Sequence, residues 1–187
     1  MSHSKLTHYL TQTALMIALL IVLGFLPGIP LGVIPVPIVL QNMGIMIAAA
    51  LLGPRYGTAA IALFLFLAFL GLPFLSGGRG GAAIFVGPTA GYMFGWLLVP
   101  VVYWALMKLA GNHATNGWLE FAIMIVAGVL LVDGIGSVWL SMQSPMPLAG
   151  SLTSNLVFIP GDILKAALTI IIVRVLRKRI AFAGNGQ

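Results

Sequence analysis

The chain contains no cysteine and only three acidic residues, and charged side chains fill 6% of its 187 positions, where an ordinary soluble domain carries about 25%. The missing cysteine excludes disulfides and thiolate chemistry and says nothing of compartment. So little charge beside 60% hydrophobic residues excludes a water-soluble globule. No Gly-Lys dipeptide occurs, so there is no Walker A loop and the chain cannot hydrolyse ATP. His3, His8 and His113 lack metal-ligand spacing, and no Gly-x-Ser-x-Gly nucleophile elbow is present. The net charge of +6 comes from cations scattered through hydrocarbon. They form no basic stripe, so nucleic acid is not an expected partner, and the charge reads as membrane orientation.

What is present is apolar sequence, cut by charges into neutral stretches at 6–54, 56–78, 80–107 and 134–161. Each is long enough for a span of ~20 residues, and six spans with short connections is the natural maximum for this length. The expectation is an all-α integral membrane protein, one domain over 1–187, with six transmembrane helices at about 9–26, 38–52, 56–70, 88–109, 119–140 and 159–177. Pro27, Gly28 and Pro30 stop the first, Pro35–Pro37 precede the second, and Gly53-Pro54-Arg55 makes a sharp turn before the third. The second and third look short. The first is expected to be retained, because Pro27 rather than a cleavage site bounds its apolar run.

With an even number of helices both ends lie on one side. That side collects Lys5, Arg55, Lys108, Arg174, Arg177, Lys178 and Arg179, whereas the other has Arg79 alone and Lys165 falls inside the last helix. Positive-inside bias predicts both termini in the cytoplasm. The outer connections are then Pro27–Pro37, Leu72–Gly87 and Ser141–Phe158, all rich in Gly, Pro or Ser.

Beside Glu120 at the edge of the fifth predicted helix, the other two acids, Asp133 and Asp162, fall within predicted helices, where a charge at mid-membrane costs at least ~2.5 kcal/mol. Lys165, three residues after Asp162, shares its helix face, so one reading is an internal ion pair. The other follows from position. Pro160-Gly161-Asp162 opens the last helix, whose positive end favours Asp162 and disfavours Lys165, so the lysine implies an additional anion such as a ligand. Asp133 sits among Gly134, Gly136, Ser137, Trp139 and Gln143, and a structural hydrogen bond and a role in ligand binding are both open to it.

The outer loop Gly77-Gly78-Arg79-Gly80-Gly81 loosely matches a nucleotide-binding fingerprint, but no strand precedes it and no acidic ribose partner follows. Its glycines supply backbone that is either merely flexible or able to approach a ligand as a lid. Gly87, Gly91 and Gly95, and likewise Ala14 and Ala18, stand four apart, a spacing that lets helix backbones come close. Such stripes serve internal packing or, where the face is outward, a protein partner.

Taken in order, Pro35-Val36-Pro37-Ile38-Val39-Leu40-Gln41, Leu51-Leu52-Gly53-Pro54-Arg55-Tyr56-Gly57, Gly71-Leu72-Pro73 with the glycine loop, Gly87-Pro88-Thr89-Ala90-Gly91-Tyr92 and Phe158-Ile159-Pro160-Gly161-Asp162-Ile163-Leu164-Lys165 resemble the BioY family. Its members are biotin-binding S-components of energy-coupling-factor (ECF) vitamin transporters. The resemblance implies a six-helix subunit of a prokaryotic plasma membrane that captures biotin from outside. It would work with a transmembrane coupling protein (T-component) and two ATPase subunits. The resemblance implies neither catalytic activity nor a cofactor. It also implies that Asp162 and Lys165 of the PGDxxK motif, and Gly78, Arg79 and Gly80 of the loop, serve the ligand, and that Ala14 and Ala18 dock the coupling protein.

Biotin offers a carboxylate, a ureido group with two N–H donors and one acceptor, and an apolar bicycle with an aliphatic tail. A mostly apolar pocket needs few polar groups for it. Gln41, Asn155 and Gln143 could complete the polar set begun by Asp162 and Lys165, with Tyr92, Phe85 and Trp139 as walls. Competing readings are an S-component for another vitamin, an ion-coupled small-molecule carrier using Asp133, Asp162 and Lys165 as a relay, and an intramembrane enzyme. The last lacks a nucleophile or metal set.

Overall fold

The structure, a computed structural model, describes residues 3–30, 32 and 35–184, with backbone alone at 3–6, 8 and 179–184. Among the described residues seven α-helices follow one another: α1 (His3–Phe25), α2 (Gln41–Phe69), α3 (Ala90–Ala110), α4 (Gly117–Ile125), α5 (Leu131–Gln143), α6 (Leu148–Asn155) and α7 (Ile159–Gly184). Short 3-10 turns lie at Ala82–Val86 and Gly111–Thr115, and a π turn at Val126–Leu130 joins α4 to α5 in one apolar run. Among the described residues extended pairing is limited to isolated bridges, such as Ile29 with Ile38.

As one straight rod, α2 with its 29 residues would be ~43 Å long. It is not straight. Gly53 has φ +76° and ψ −179°, outside the helical region, and Pro54 follows it. Gln41, at one end of α2, donates to the Phe74 carbonyl just beyond the other end at 2.8 Å. A Cβ on Gly57 would stand 3.2 Å from the Ala48 carbonyl oxygen. The chain therefore doubles back at Gly53, giving limbs α2a (41–52) and α2b (54–69), ~18 and ~24 Å long, both short of a ~30 Å hydrocarbon layer. Pro54 has no N–H, which strands carbonyls at the end of α2a. Trp104 Nε1 takes that of Ala49 at 2.6 Å and an Arg177 N–H takes that of Ala50 at 2.7 Å.

Six rods result: α1, α2a, α2b, α3, the joined α4–α5, and α7. Ala90–Thr115 and Gly117–Gln143 are each long and apolar enough to cross a bilayer, and Tyr9–Phe25 is a shorter apolar stretch. Several boundaries differ from expectation, among them the end of the last helix, which runs to Gly184 rather than 177. Helix 1 begins at His3 instead of residue 9. The second begins at Gln41 rather than 38, because Pro35 and Pro37 keep the strap extended and Ile38 exchanges backbone hydrogen bonds with Ile29. The outer connection after α5 contains the short helix α6, bent 53° from α7.

Tyr9 stacks on Tyr56 with ring centroids 4.6 Å apart, so the start of α1 lies beside the Gly53 turn. Arg177 reaches Ala50 and Arg174 reaches the Thr115 carbonyl, which puts Arg55, Arg174 and Arg177 at one end of the bundle. The side chains of Lys5 and Arg179 lie outside the described residues. At the opposite end are the proline strap, the glycine loop and α6. Gly91 and Gly95 of α3 meet α5, where a Cβ on Gly91 would collide with Trp139 and one on Gly95 would stand 3.1 Å from Val132 Cα. This close approach of α3 and α5 brings Tyr92 and Asp133 into one space.

Candidate functional site

That space is a cavity at the loop end of the bundle, bounded by the start of α2a, the glycine hairpin, the start of α3, α5 and the start of α7. Its apolar walls are the Val36–Val39 strap, Ile84, Met93, Trp96, Val132 and Phe158. Polar groups enter it from each element.

From α7 come Asp162 and Lys165, 6% and 7% exposed. The ammonium donates to Asp162 Oδ1 at 2.8 Å and to the Val39 carbonyl, also at 2.8 Å. Of the two readings open to Lys165, the internal ion pair with Asp162 is present in the structure. The Val39 carbonyl is free because the strap is not yet helical, and together with Asp162 it offsets the unfavourable helix end. Asn42 of α2a donates to Asp162 Oδ1 at 3.5 Å and to the Gly128 carbonyl in the π turn at 3.3 Å. Its own Oδ1 is enclosed without a partner, as is Asp133 Oδ2.

Gln41 lines the cavity and also fastens its rim. Its amide donates to the Leu20 and Phe74 carbonyls, and its oxygen accepts from Ser76 N–H at 2.9 Å. Ser76 Oγ donates to the Leu26 carbonyl and Gly77 N–H to that of Gly24. The loop is thus an ordered hairpin tied to α1. Leu75 and Arg79 pair through their backbones across Gly77 and Gly78, whose φ values of +76° and +68° only glycine adopts readily. This turn brings Arg79, an exposed residue, to the cavity mouth, where its Nε donates to the Ser76 carbonyl at 3.1 Å.

Tyr92 lines the cavity and donates to Asn155 Oδ1 at 2.8 Å. Asn155, 3% exposed, donates in turn to Ser137 Oγ at 2.7 Å and to the Asp133 carbonyl at 3.1 Å. It stands behind the wall and orients the groups in front.

Of the residues singled out in the sequence, Gln41, Arg79, Tyr92, Asp133, Asp162 and Lys165 come together at the cavity. Gly78 and Gly80 shape the hairpin, Gly80 packing against the Leu72 carbonyl. Trp139 faces away, its Nε1 donating to the Gly87 carbonyl at 2.9 Å and its ring edge-on to Phe94. Gln143 is exposed at the end of α5, and Ile84 rather than Phe85 reaches the cavity. Asn42, Ser76, Thr89, Met93 and Trp96 were not foreseen. An Asn directly after Gln41 in the otherwise apolar run 38–52 was the signal that could have found Asn42.

Ala14 and Ala18 are exposed on α1, on the side away from the buried Met16 and Leu20.

Comparison with known proteins agrees with this architecture. The chain is 54% identical over 183 residues to the "Biotin transporter BioY" of Lactococcus lactis subsp. cremoris, covering 97% of each. It is 38% identical over 172 residues to that of Rhizobium etli, covering 90% of this chain and 92% of the relative. A crystal structure described as the S-component for biotin from an ECF-type ABC transporter superposes with a TM-score of 0.91 at 54% identity, over 95% of both chains. The bundle of apolar helices is that of a multi-pass membrane protein. With a family model matched over residues 1–182, the chain belongs to the BioY family.

Proposed function

We propose that the protein is the biotin-capturing S-component of an ECF-type vitamin transporter. The observation that carries this is the cavity itself: apolar walls, a buried Asp162–Lys165 pair, unsatisfied acceptors beside it and one cation at the mouth. The ring system fits the apolar walls, the ureido group meets the Asp162–Lys165 pair, and Gln41 and Tyr92 supply further polar edges. Arg79 takes the carboxylate, because it is the cavity's exposed cation and among the described residues has no carboxylate within 4.0 Å. Biotin is bound and released unchanged, with no cofactor. The test is titration of purified protein with biotin against riboflavin and thiamine, where saturable one-site binding of biotin alone is expected.

Without a Walker A loop the energy must come from partners, a coupling protein and two ATPase subunits. The exposed Ala14 and Ala18 of α1 offer the close-approach face for the coupling protein. Ala14→Trp and Ala18→Trp are expected to leave biotin affinity within about threefold while abolishing most coupled uptake. Loss of binding alongside uptake, or survival of both, would remove α1 as a docking face.

The basic end of the bundle supports a cytoplasmic position for both termini, with the cavity facing outward. The cysteine-free chain allows a direct check. A membrane-impermeant maleimide should label Gln143→Cys in intact cells and Asn112→Cys only after permeabilisation. The reverse pattern would invert the topology.

A further inference from the structure

Each of the other two acids is held by cations. Asp162 has Lys165, and Glu120 has Arg174 and Arg177, whereas no Lys or Arg nitrogen lies within 4.0 Å of Asp133 among the described residues. Asp133 is 9% exposed, stands in the cavity wall, and its Oδ2 is enclosed with no hydrogen-bond partner. Asn42 Oδ1, in the same cavity, is also enclosed and unsatisfied. Buried acceptors in this state are unfavourable unless something donates to them.

The surrounding fold holds Asp133 in place. Asn155 donates to its carbonyl at 3.1 Å, and Gly136 leaves room for the Tyr92 ring, which any Cβ there would strike. What is missing is a donor facing the carboxylate. Along one edge a ureido group presents N–H, C=O and N–H. Lys165 is the donor that suits the carbonyl, and Asp162 Oδ1 is already committed to Lys165 and Asn42.

We infer that Asp133 is a ligand-contacting, specificity-determining residue, its carboxylate accepting one ureido N–H while Lys165 donates to the ureido oxygen. This rests on the biotin reading of the cavity. It makes the site selective for a ligand with a donor beside its carbonyl, beyond what ring shape alone would select.

The test uses purified wild-type, Asp133→Ala and Asp133→Asn proteins. Each is titrated with biotin and with two derivatives methylated at one or the other ureido nitrogen. Asp133→Ala is expected to lose at least thirty-fold in biotin affinity while its unfolding temperature holds or rises. One methylated derivative, weak on the wild type, should bind the alanine variant about as well as biotin does, because the methyl fills the vacated space. Biotin affinity within threefold of wild type overturns the assignment, and so does equal weakening of all three ligands, which marks a merely structural role. Where the alanine variant folds poorly, Asp133→Asn, which keeps the side chain's bulk and vacates no space, is read on biotin alone: a loss of more than threefold at an unchanged unfolding temperature supports the contact, and affinity within threefold overturns it. Wild-type protein that binds no biotin overturns the reading beneath, and this assignment with it.

Discussion

Lys165→Ala is expected to weaken biotin binding by roughly thirty-fold to several-thousand-fold, because truncating one member of a desolvated, hydrogen-bonded polar set typically costs on the order of 2–5 kcal/mol. Lys165 and Asp162 are both nearly enclosed and 2.8 Å apart. Were a ligand the true partner of Lys165, removing the lysine from the positive end of the helix in ligand-free protein would be neutral or stabilising. The geometry reverses that expectation. Without the ammonium, Asp162 keeps only the long 3.5 Å contact from Asn42, and the Val39 carbonyl loses its donor. Breaking a buried pair from one side costs about 3–5 kcal/mol, whereas removing both charges together is often neutral.

The single variant should therefore lose both stability and affinity. Asp162→Asn combined with Lys165→Met should recover most of the unfolding temperature and none of the affinity. Thermal unfolding in detergent beside biotin titration separates the two effects. A double variant that binds biotin like the wild type would remove the pair from the site and leave it a structural bridge.

The course of the chain was legible where local chemistry decides it. Gly53-Pro54 must end one helix and open the next, and the proline strap cannot be helical. The PGDxxK start of α7 and the glycine hairpin each announce a special backbone in a few consecutive residues. Gln41 was legible as a polar candidate near a helix start, but not the tethers it makes. It hydrogen-bonds to residues 21, 33 and 35 positions away in sequence, and no local pattern encodes that. Trp139 and Gln143 failed to reach the cavity for a related reason. Their helix face depends on how α5 packs on α3, which Gly91 and Gly95 set and a π turn at Val126–Leu130 rotates. α6 escaped notice because its eight residues carry too short a pattern to register.

Glu120 is the largest omission, and it yields the second large expected effect. Only 1% exposed, it accepts from Arg174 Nε at 2.8 Å, from Arg177 Nη1 at 2.6 Å and from the Tyr103 hydroxyl at 2.7 Å. The arginines lie 54 and 57 residues away in the chain. In the sequence they read only as orientation charges, and their pairing with Glu120 stayed hidden.

The two sides of this network are unequal. The arginine side chains are 36% and 35% exposed and hold carbonyls as well, whereas the carboxylate is enclosed. Glu120→Gln should thus be mild, about 1–2 kcal/mol, since the amide oxygen still accepts and the guanidinium groups reach water. Arg174→Met with Arg177→Met strands a buried carboxylate and uncaps the Ala50 carbonyl, which should cost about 3–5 kcal/mol. For a chain of this length that is a fall of about 10 °C or more in unfolding temperature. Adding Glu120→Gln to the double variant should restore most of the loss. Biotin affinity of the folded fraction should stay within about threefold throughout, because the network sits at the end of the bundle opposite the cavity. An unfolding temperature for the double arginine variant within 2 °C of wild type would show that Glu120 is solvated or protonated in place, and that the network ties α7 to α4 far more weakly than its geometry indicates.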